Sequence, residues 1–187
     1  MRALHLAALL VTLGACKHDP APPQLAAADW ERGYAAVNQV RSQLFQALNR
    51  ALVQGAPAAV AACSTEAPAI TAGLSQHGVV VGRATRKPRN PANLASGWQA
   101  DALAQFEGDV AAGRPLKAAR FLRPLPDGRL GYAEPLVIQP MCLACHGAAL
   151  APDVTAALAE RYPGDRATGY QAGELRGLVW AELPPRS

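Results

Sequence analysis

The chain has 187 residues, of which 50% are hydrophobic and only 5% aromatic, and its formal net charge is +4. This length is enough for one domain with a real hydrophobic core. The positive charge does not indicate a nucleic-acid partner, because the sequence contains neither a Lys/Arg block nor an aromatic stacking platform.

The amino-terminal residues are typical of an export signal. Arg2 provides a positive charge, and the apolar run from Leu4 to Leu13 is too short to span a bilayer. The following Gly14-Ala15-Cys16 completes a lipobox-like sequence, in which small residues admit a signal peptidase and Cys16 carries the lipid. The alternative is a plain secretory leader with an incidental cysteine. We predict a lipoprotein signal peptide in residues 1–15 and a periplasmic protein attached to the membrane through Cys16.

The rest of the chain divides into a tether and one domain. Residues 16–28 are rich in proline and alanine, which is typical of a tether. We assign residues 29–187 to a single domain, because neither an internal repeat nor a further boundary follows.

Hydrophobic periodicity predicts two amino-terminal helices. The first spans Asp29 to Gln54, and its stripe packs on its own domain or, alternatively, forms the seam of a homodimer. The second runs from Pro57 to about Ser75, with a bend at Pro68, and carries Cys63. The residues of the stripe are Tyr34, Val37, Val40, Leu44, Leu48 and Leu52.

A strand, a proline-rich loop and a third helix come next. Val79 begins a strand that reaches about Thr85, and the two prolines and two asparagines of Arg86 to Ala95 exclude regular structure there. Ser96 is the expected cap of a helix from Gly97 to about Ala112. The side chains predicted on the buried side of this helix are Trp98, Leu103, Phe106 and Val110.

The carboxy-terminal half is predicted to supply most of the sheet. Ala118 to Leu125 and Leu130 to Ile138 are typical of paired strands, joined by a turn at Asp127-Gly128. A short helix over Asp153 to Tyr162 and a last strand over Leu175 to Leu183 follow. Strands and helices do not alternate as parallel units, so we expect an α+β fold: a small antiparallel sheet with helices to one side.

The most specific motif is Cys142-Leu143-Ala144-Cys145-His146, the attachment signature of a c-type haem. In such a site the two thiols bind the porphyrin vinyl groups, and the histidine is the proximal iron ligand. A thioredoxin-type pair does not need the adjoining His146, and a zinc site needs four ligands, for which few other Cys or His residues exist. We therefore predict one covalent haem c, held by Cys142, Cys145 and His146.

Few residues could bind the opposite face of the iron, but the sequence leaves more than one candidate. Met141 adjoins Cys142 and cannot reach around the ring, and His18 lies in the tether. Cys63 and His77 remain as candidates, and a lysine or an empty site is the further alternative. Cys63 has no expected disulfide partner, so it is either an iron ligand or an inert buried thiol.

Two further groups of residues are candidates for the haem pocket. Arg83, Lys87 and Arg89 are suited to neutralise haem propionates, although Arg89 and the asparagines of its loop would equally satisfy backbone groups. Four aromatic residues are also candidates to line the pocket: Trp98, Phe106, Tyr132 and Trp180. The alternative, which is more usual for aromatic residues, is that they belong to the hydrophobic core.

Three stretches of the sequence together resemble a known protein family. They are Val81-Gly82-Arg83 with Lys87-Pro88-Arg89-Asn90-Pro91-Ala92-Asn93, then Cys142-Leu143-Ala144-Cys145-His146-Gly147, and Tyr162-Pro163-Gly164-Asp165-Arg166-Ala167-Thr168-Gly169-Tyr170 with Gly173-Glu174-Leu175-Arg176-Gly177. In these stretches the chain resembles the c-type haem family of PAS-like domains of unassigned function. The resemblance implies a PAS-like antiparallel sheet preceded by long helices. It also implies iron held by His146 on one side and by a helical cysteine, here Cys63, on the other.

Members of that family occur as lone periplasmic cytochromes and as sensor parts of signalling proteins, so the resemblance leaves the role open. We expect a redox or ligand sensor that acts on an unknown redox or signalling protein, with low-potential electron transfer as the alternative. Enzymatic turnover is not expected, because the sequence offers no acid–base pair beside the haem motif.

Overall fold

The computed structural model describes residues 25–186. The predicted signal peptide, Cys16, His18 and most of the tether lie outside the described residues. Short 3-10 turns lie at Pro91–Asn93, Leu116–Ala118 and Pro140–Cys142. The helices and strands in chain order are α1 (Ala27–Leu52), α2 (Ala56–Leu74), β1 (Val80–Ala84), α3 (Gly97–Ala111), β2 (Phe121–Pro124), β3 (Leu130–Val137), α4 (Leu143–His146), α5 (Pro152–Arg161) and β4 (Leu175–Leu183).

The four strands form one antiparallel sheet in the order β1-β4-β3-β2. The predicted α+β class, with an antiparallel sheet and long helices before it, is therefore confirmed. Strand β3 pairs with β4 along its whole length, from Leu130 opposite Leu183 to Val137 opposite Leu175. The β2–β3 hairpin closes at Gly128, whose φ of 83° is a conformation that glycine adopts without strain.

Helices pack against both faces of the sheet, so the expectation that they lie to one side was wrong. Successive residues of a strand point to opposite faces. Accordingly, Tyr132 is buried in the core beneath α1, whereas Ala133 is buried in the core beneath α3. Similarly, Val179 faces α1 and Leu178 faces α3.

Helices α1 and α2 form an antiparallel hairpin on the first face. Their connection turns at Gly55, which has a φ of 101°, and Pro57 follows in the first turn of α2, where its missing N–H is not needed. Helix α2 runs through Pro68 as one element. None of the helices in residues 25–186 is both long and apolar enough to cross a membrane.

The single apolar stripe predicted on α1 divides into two surfaces. Val37 and Val40 are fully buried against the sheet. Tyr34, Leu48 and Leu52 instead line an open cavity, and Tyr34 is 44% exposed. A helix that serves both a core and a cavity carries a wider apolar band than the core alone requires.

Some local expectations were wrong. The Ser96 side chain makes no capping hydrogen bond, although Ser96 does precede α3. Val110, predicted on the buried side of α3, is instead 50% exposed and lines a cavity. Strand β2 begins at Phe121 rather than Ala118, since Leu116–Ala118 form a 3-10 turn.

The proline-rich loop is more regular than its composition suggested. Pro91–Asn93 form a short 3-10 turn, and the Asn90 side chain caps it by accepting a hydrogen bond from the Ala92 N–H at 3.0 Å. The backbone of Thr85 pairs with this loop through Asn93 and Ala95. The loop is thereby attached to the end of β1.

Candidate cofactor site

A cavity of about 1370 Å³ lies between the α1–α2 hairpin and the end of the sheet. It exceeds the roughly 300–1,000 Å³ of ordinary small-molecule pockets. Cys142, Cys145 and His146 line one part of its wall, and Cys63 of α2 also lines it. The structure thus brings the haem-type motif and the candidate distal cysteine to one cavity.

The local backbone explains why the motif presents its three side chains together. The 3-10 turn Pro140–Cys142 leads directly into the single-turn helix α4. Gly147 then ends that turn, and a Cβ at Gly147 would come within 2.6 Å of the Leu143 carbonyl oxygen. The motif is therefore a compact turn that only a glycine can close in this way.

His146 is oriented by a backbone acceptor. Its Nδ1 lies 2.7 Å from the carbonyl oxygen of Ala167, so Nδ1 carries the proton and Nε2 keeps its lone pair for a metal ion. Burial, together with the positive charge of Arg89, lowers the pKa of His146 to about 4. At neutral pH the imidazole is therefore neutral, which is the form that binds iron.

Burial and nearby positive charges have opposite effects on the pKa of the Cys63 thiol. Burial raises the pKa of the Cys63 thiol, while the positive charges of Arg83 and Arg89 oppose that rise. His77, the other candidate, is exposed after the end of α2 and is not among the residues that line the cavity. Geometry thus favours Cys63 over His77 as the side chain that faces the motif.

The three candidate cations have different partners. The Lys87 ammonium donates to the Thr168 carbonyl at 2.8 Å, and Lys87 does not line the cavity. Arg89 lines it, but its guanidinium is bound to the Asp165 carboxylate at 3.0 Å and to the Cys145 carbonyl.

Arg83 also lines the cavity. Among residues 25–186, none accepts a hydrogen bond from its side chain or forms an ion pair with it. Burial lowers the pKa of Arg83.

The register of the sheet places Arg83 in a row of side chains at the cavity floor. Arg83 and Glu134 both lie opposite Val179, on either side of it. Directly opposed residues point to the same face, and two strand spacings separate Arg83 from Glu134 by about 10 Å. The next row inward, which contains Tyr132, already belongs to the hydrophobic core.

Glu134 is a buried carboxylate that lines the cavity, and no pattern in the sequence pointed to it. It is 7% exposed, accepts a hydrogen bond from the Tyr132 hydroxyl at 2.6 Å, and is ion-paired with Arg41 at 2.8 Å. Arg120 approaches the same carboxylate at 3.8 Å. Glu134 lies in the central strand β3 between Ala133 and Pro135 and belongs to no recognisable motif, so no sequence signal identified it.

The four aromatic candidates belong to the core. None of them lines the cavity, and each is buried or packed in one of the two clusters that flank the sheet: Trp98, Phe106, Tyr132 and Trp180. The aromatic rings near the motif are instead Tyr170, whose ring meets His146 edge-on, and Tyr162, which lies beneath Arg89.

The site combines two thiols and an imidazole on a short turn with a third thiol across the cavity. Within the part of the chain that the structure describes, no three His, Cys, Asp or Glu side chains converge on a single point where they would hold a bare metal ion. The arrangement therefore defines an α+β protein in which three thiols and an imidazole line one large cavity.

Comparison with known proteins identifies the family. The Tll0287-like family model matches residues 31–184, and the chain belongs to this family. The membership that the three sequence stretches indicated is therefore confirmed. The fold is similar to that in the crystal structure of the cyanobacterial haem-protein Tll0287, with a TM-score of 0.59 and 22% identity. That match covers 87% of this chain and 98% of the other. No curated protein matches the sequence.

Proposed function

We propose that the protein binds one haem in the cavity, attached covalently through Cys142 and Cys145, with His146 and Cys63 as the two iron ligands. The observation that carries this proposal is the convergence of all four side chains on one cavity. The structurally similar Tll0287 is a haem-protein, which supports the same cofactor here. The donor set also fits, because the imidazole has a free Nε2 and the thiols can act as nucleophiles and as a ligand.

The cavity offers a cation to a haem propionate. Arg83 lines it and has no anionic partner among residues 25–186, whereas Arg89, which also lines it, is already paired with Asp165. Lys87 donates to the Thr168 carbonyl and does not line the cavity, so it is not a partner for a propionate. A bound haem would also cover the apolar side chains of Leu48 and Leu52, which line the cavity.

The proposed role is that of a periplasmic redox or ligand sensor, anchored by a lipid on Cys16, that acts through a partner protein and without catalysis. A thiolate ligand donates electrons strongly and lowers the reduction potential of iron. Such a site suits a sensor, and it also suits a low-potential electron carrier, which is the second candidate.

The haem itself is tested by acid–acetone extraction of the denatured holoprotein. Covalent haem stays with the polypeptide in the wild type. The Cys142→Ser, Cys145→Ser double variant should release it into the organic phase. Extraction of free haem from the wild type would refute the covalent attachment.

A redox titration in the presence of CO and NO tests the ligand-sensor role. If the protein senses a diatomic ligand, CO or NO should bind the ferrous protein and shift its Soret band. An unchanged spectrum under both gases would exclude the ligand sensor and leave a redox sensor or an electron carrier.

A further inference from the structure

The floor of the cavity carries a row of side chains that crosses the whole sheet. Arg83 of β1, Val179 of β4 and Glu134 of β3 lie directly opposite one another. The pairing of β2 with β3, continued by one residue, places Arg120 opposite Glu134. Three strand spacings of about 4.8 Å then separate Arg83 from Arg120 by roughly 14 Å. Because both arginines line the cavity, it has cationic groups at the two opposite edges of the sheet.

The two edges belong to different parts of the cavity. Helix α2, which carries Cys63, packs on the motif helix α4 and on β1. The cavity wall at the opposite edge is formed instead by the first half of α1 and by the connection between α3 and β2. We call this part of the cavity the β2-edge pocket, and its side chains considered below are Tyr34, Arg41, Phe45, Lys117, Arg120 and Glu134.

Two arginines of the β2-edge pocket converge on a single carboxylate. Arg41 donates to one oxygen of Glu134 at 2.8 Å, and the Arg120 guanidinium approaches the other oxygen at 3.8 Å. The Tyr132 hydroxyl donates to that second oxygen at 2.6 Å. The side chain of Glu134 is only 9% exposed, whereas those of Arg41 and Arg120 are 38% and 47% exposed. A buried carboxylate therefore holds two cations at the cavity wall, and one negative charge faces two positive charges.

Most hydrogen-bond donors of these two arginines are free. A guanidinium has five N–H donors in a planar fork that matches a carboxylate. Among residues 25–186, Glu134 accepts a hydrogen bond from Arg41, and no further acceptor contacts either guanidinium. The Arg120 guanidinium lies 5.3 Å from the centre of the half-exposed Tyr34 ring. Phe45 lies one helical turn after Arg41 and is 51% exposed, so the pocket offers aromatic surface beside its unused donors.

We propose that the β2-edge pocket is a second ligand site, which binds a small aromatic monocarboxylate. The carboxylate accepts hydrogen bonds from Arg41 and Arg120, and the ring packs against Tyr34 and Phe45. A single negative charge on the ligand balances the positive charge that Glu134 leaves over. A haem propionate has the same chemistry, but Arg83 offers it a cation on the motif side, roughly 14 Å away. The pocket is thus additional to the proposed haem site.

The test is isothermal titration calorimetry of the wild-type holoprotein with benzoate and with phenylacetate. At least one of the two acids should bind saturably with one ligand per chain. The corresponding neutral amides, benzamide and phenylacetamide, have nearly the same shape without the charge and should not bind. Failure of both acids to bind would overturn the inference, whether a propionate already occupies the arginines or they hold no ligand. Equal binding of acid and amide would also overturn it.

Arg120→Gln is the main variant, because it leaves Glu134 paired with Arg41. It should weaken binding of the acid about tenfold or more, since it removes charge-assisted hydrogen bonds. Arg120→Lys keeps the charge beside Glu134 but lacks the planar fork, so it should also weaken binding and serves if the glutamine variant does not fold. Tyr34→Ala should weaken binding through loss of the aromatic face.

Lys117→Gln is the matched control. It removes an exposed charge that lines the same cavity and, within residues 25–186, forms no ion pair with Glu134. Its affinity for the acid should be close to that of the wild type. Equal losses in Arg120→Gln and Lys117→Gln would mean that the general positive charge attracts the anion, and the site would be refuted. Wild-type affinity in the folded Arg120 variants would refute it as well.

Discussion

Arg89 and Asp165 form an ion pair across 3.0 Å, with side chains that are only 11% and 10% exposed. The same arginine donates to the Cys145 carbonyl. The other oxygen of Asp165 accepts a hydrogen bond from the Ala167 N–H at 2.7 Å, and the Ala167 carbonyl binds His146. One buried pair therefore holds the motif at both its second cysteine and its histidine.

Arg89→Ala should lower the free energy of unfolding by about 3–5 kcal/mol, since it leaves the Asp165 carboxylate buried without its partner. Urea unfolding at neutral pH measures this change. Arg114→Ala is the matched control. It breaks an ion pair in which the arginine is 62% exposed, so about 0–1 kcal/mol is expected. Similar values for the two variants would contradict the structural role of Arg89.

The reduction potential of Arg89→Ala distinguishes two roles for this residue. Because its guanidinium is already bound to Asp165 and Cys145, we expect a destabilised holoprotein with a nearly unchanged potential. A marked shift in potential would instead support direct contact of Arg89 with a propionate.

Cys63→Ala should remove the low-spin thiolate signature from the ferric EPR spectrum and raise the reduction potential, because the strong anionic donor is lost. His77→Ala is the control, since His77 is exposed and does not line the cavity. It should leave both properties unchanged. If Cys63→Ala behaves as the wild type and His77→Ala does not, the assignment of the distal ligand is wrong.

Gly33→Ala should destabilise the protein by about 1–3 kcal/mol, the usual effect of overpacking a core. A Cβ at Gly33 would overlap the ring of the buried Tyr132 and push α1 away from the sheet. Gly108→Ala is the control on another helix, where a Cβ meets no atom within 4 Å. It should stabilise by roughly 0.5–1 kcal/mol, because alanine favours helix. Thermal unfolding compares the two, and a neutral Gly33→Ala would contradict the close packing of α1 on Tyr132.

Cys16 should be the lipidated amino terminus of the protein in the cell. The lipobox-like Leu13-Gly14-Ala15-Cys16 motivates this expectation. The intact mass of protein extracted from membranes should show the loss of residues 1–15 and the addition of acyl chains. Cys16→Ser should abolish the modification, and a wild-type product without lipid would refute the anchor.

The sequence by itself determined those features that depend on neighbours along the chain. The haem-type motif is a local turn, so its residue types and spacing sufficed to single out Cys142, Cys145 and His146 as candidate site residues. The last strand, Leu175–Leu183, was predicted with the bounds that the structure has, because apolar alternation is likewise local. Family membership followed from the motif together with the Arg-Asn-Pro loop.

Only the tertiary structure decided which distant residues meet. Cys63 and His77 are both compatible with an iron site in the sequence, but α2 carries Cys63 into the cavity and the turn after it leaves His77 in solvent. Likewise, Arg83, Lys87 and Arg89 lie close together in the sequence and look equivalent there. In the structure, Arg83 lies on strand β1, Lys87 donates to the Thr168 carbonyl and Arg89 pairs with Asp165. Packing across the whole chain brings such partners together. It also sets how deeply each charge is buried, and therefore how much that charge contributes to stability. No local sequence pattern encodes this burial.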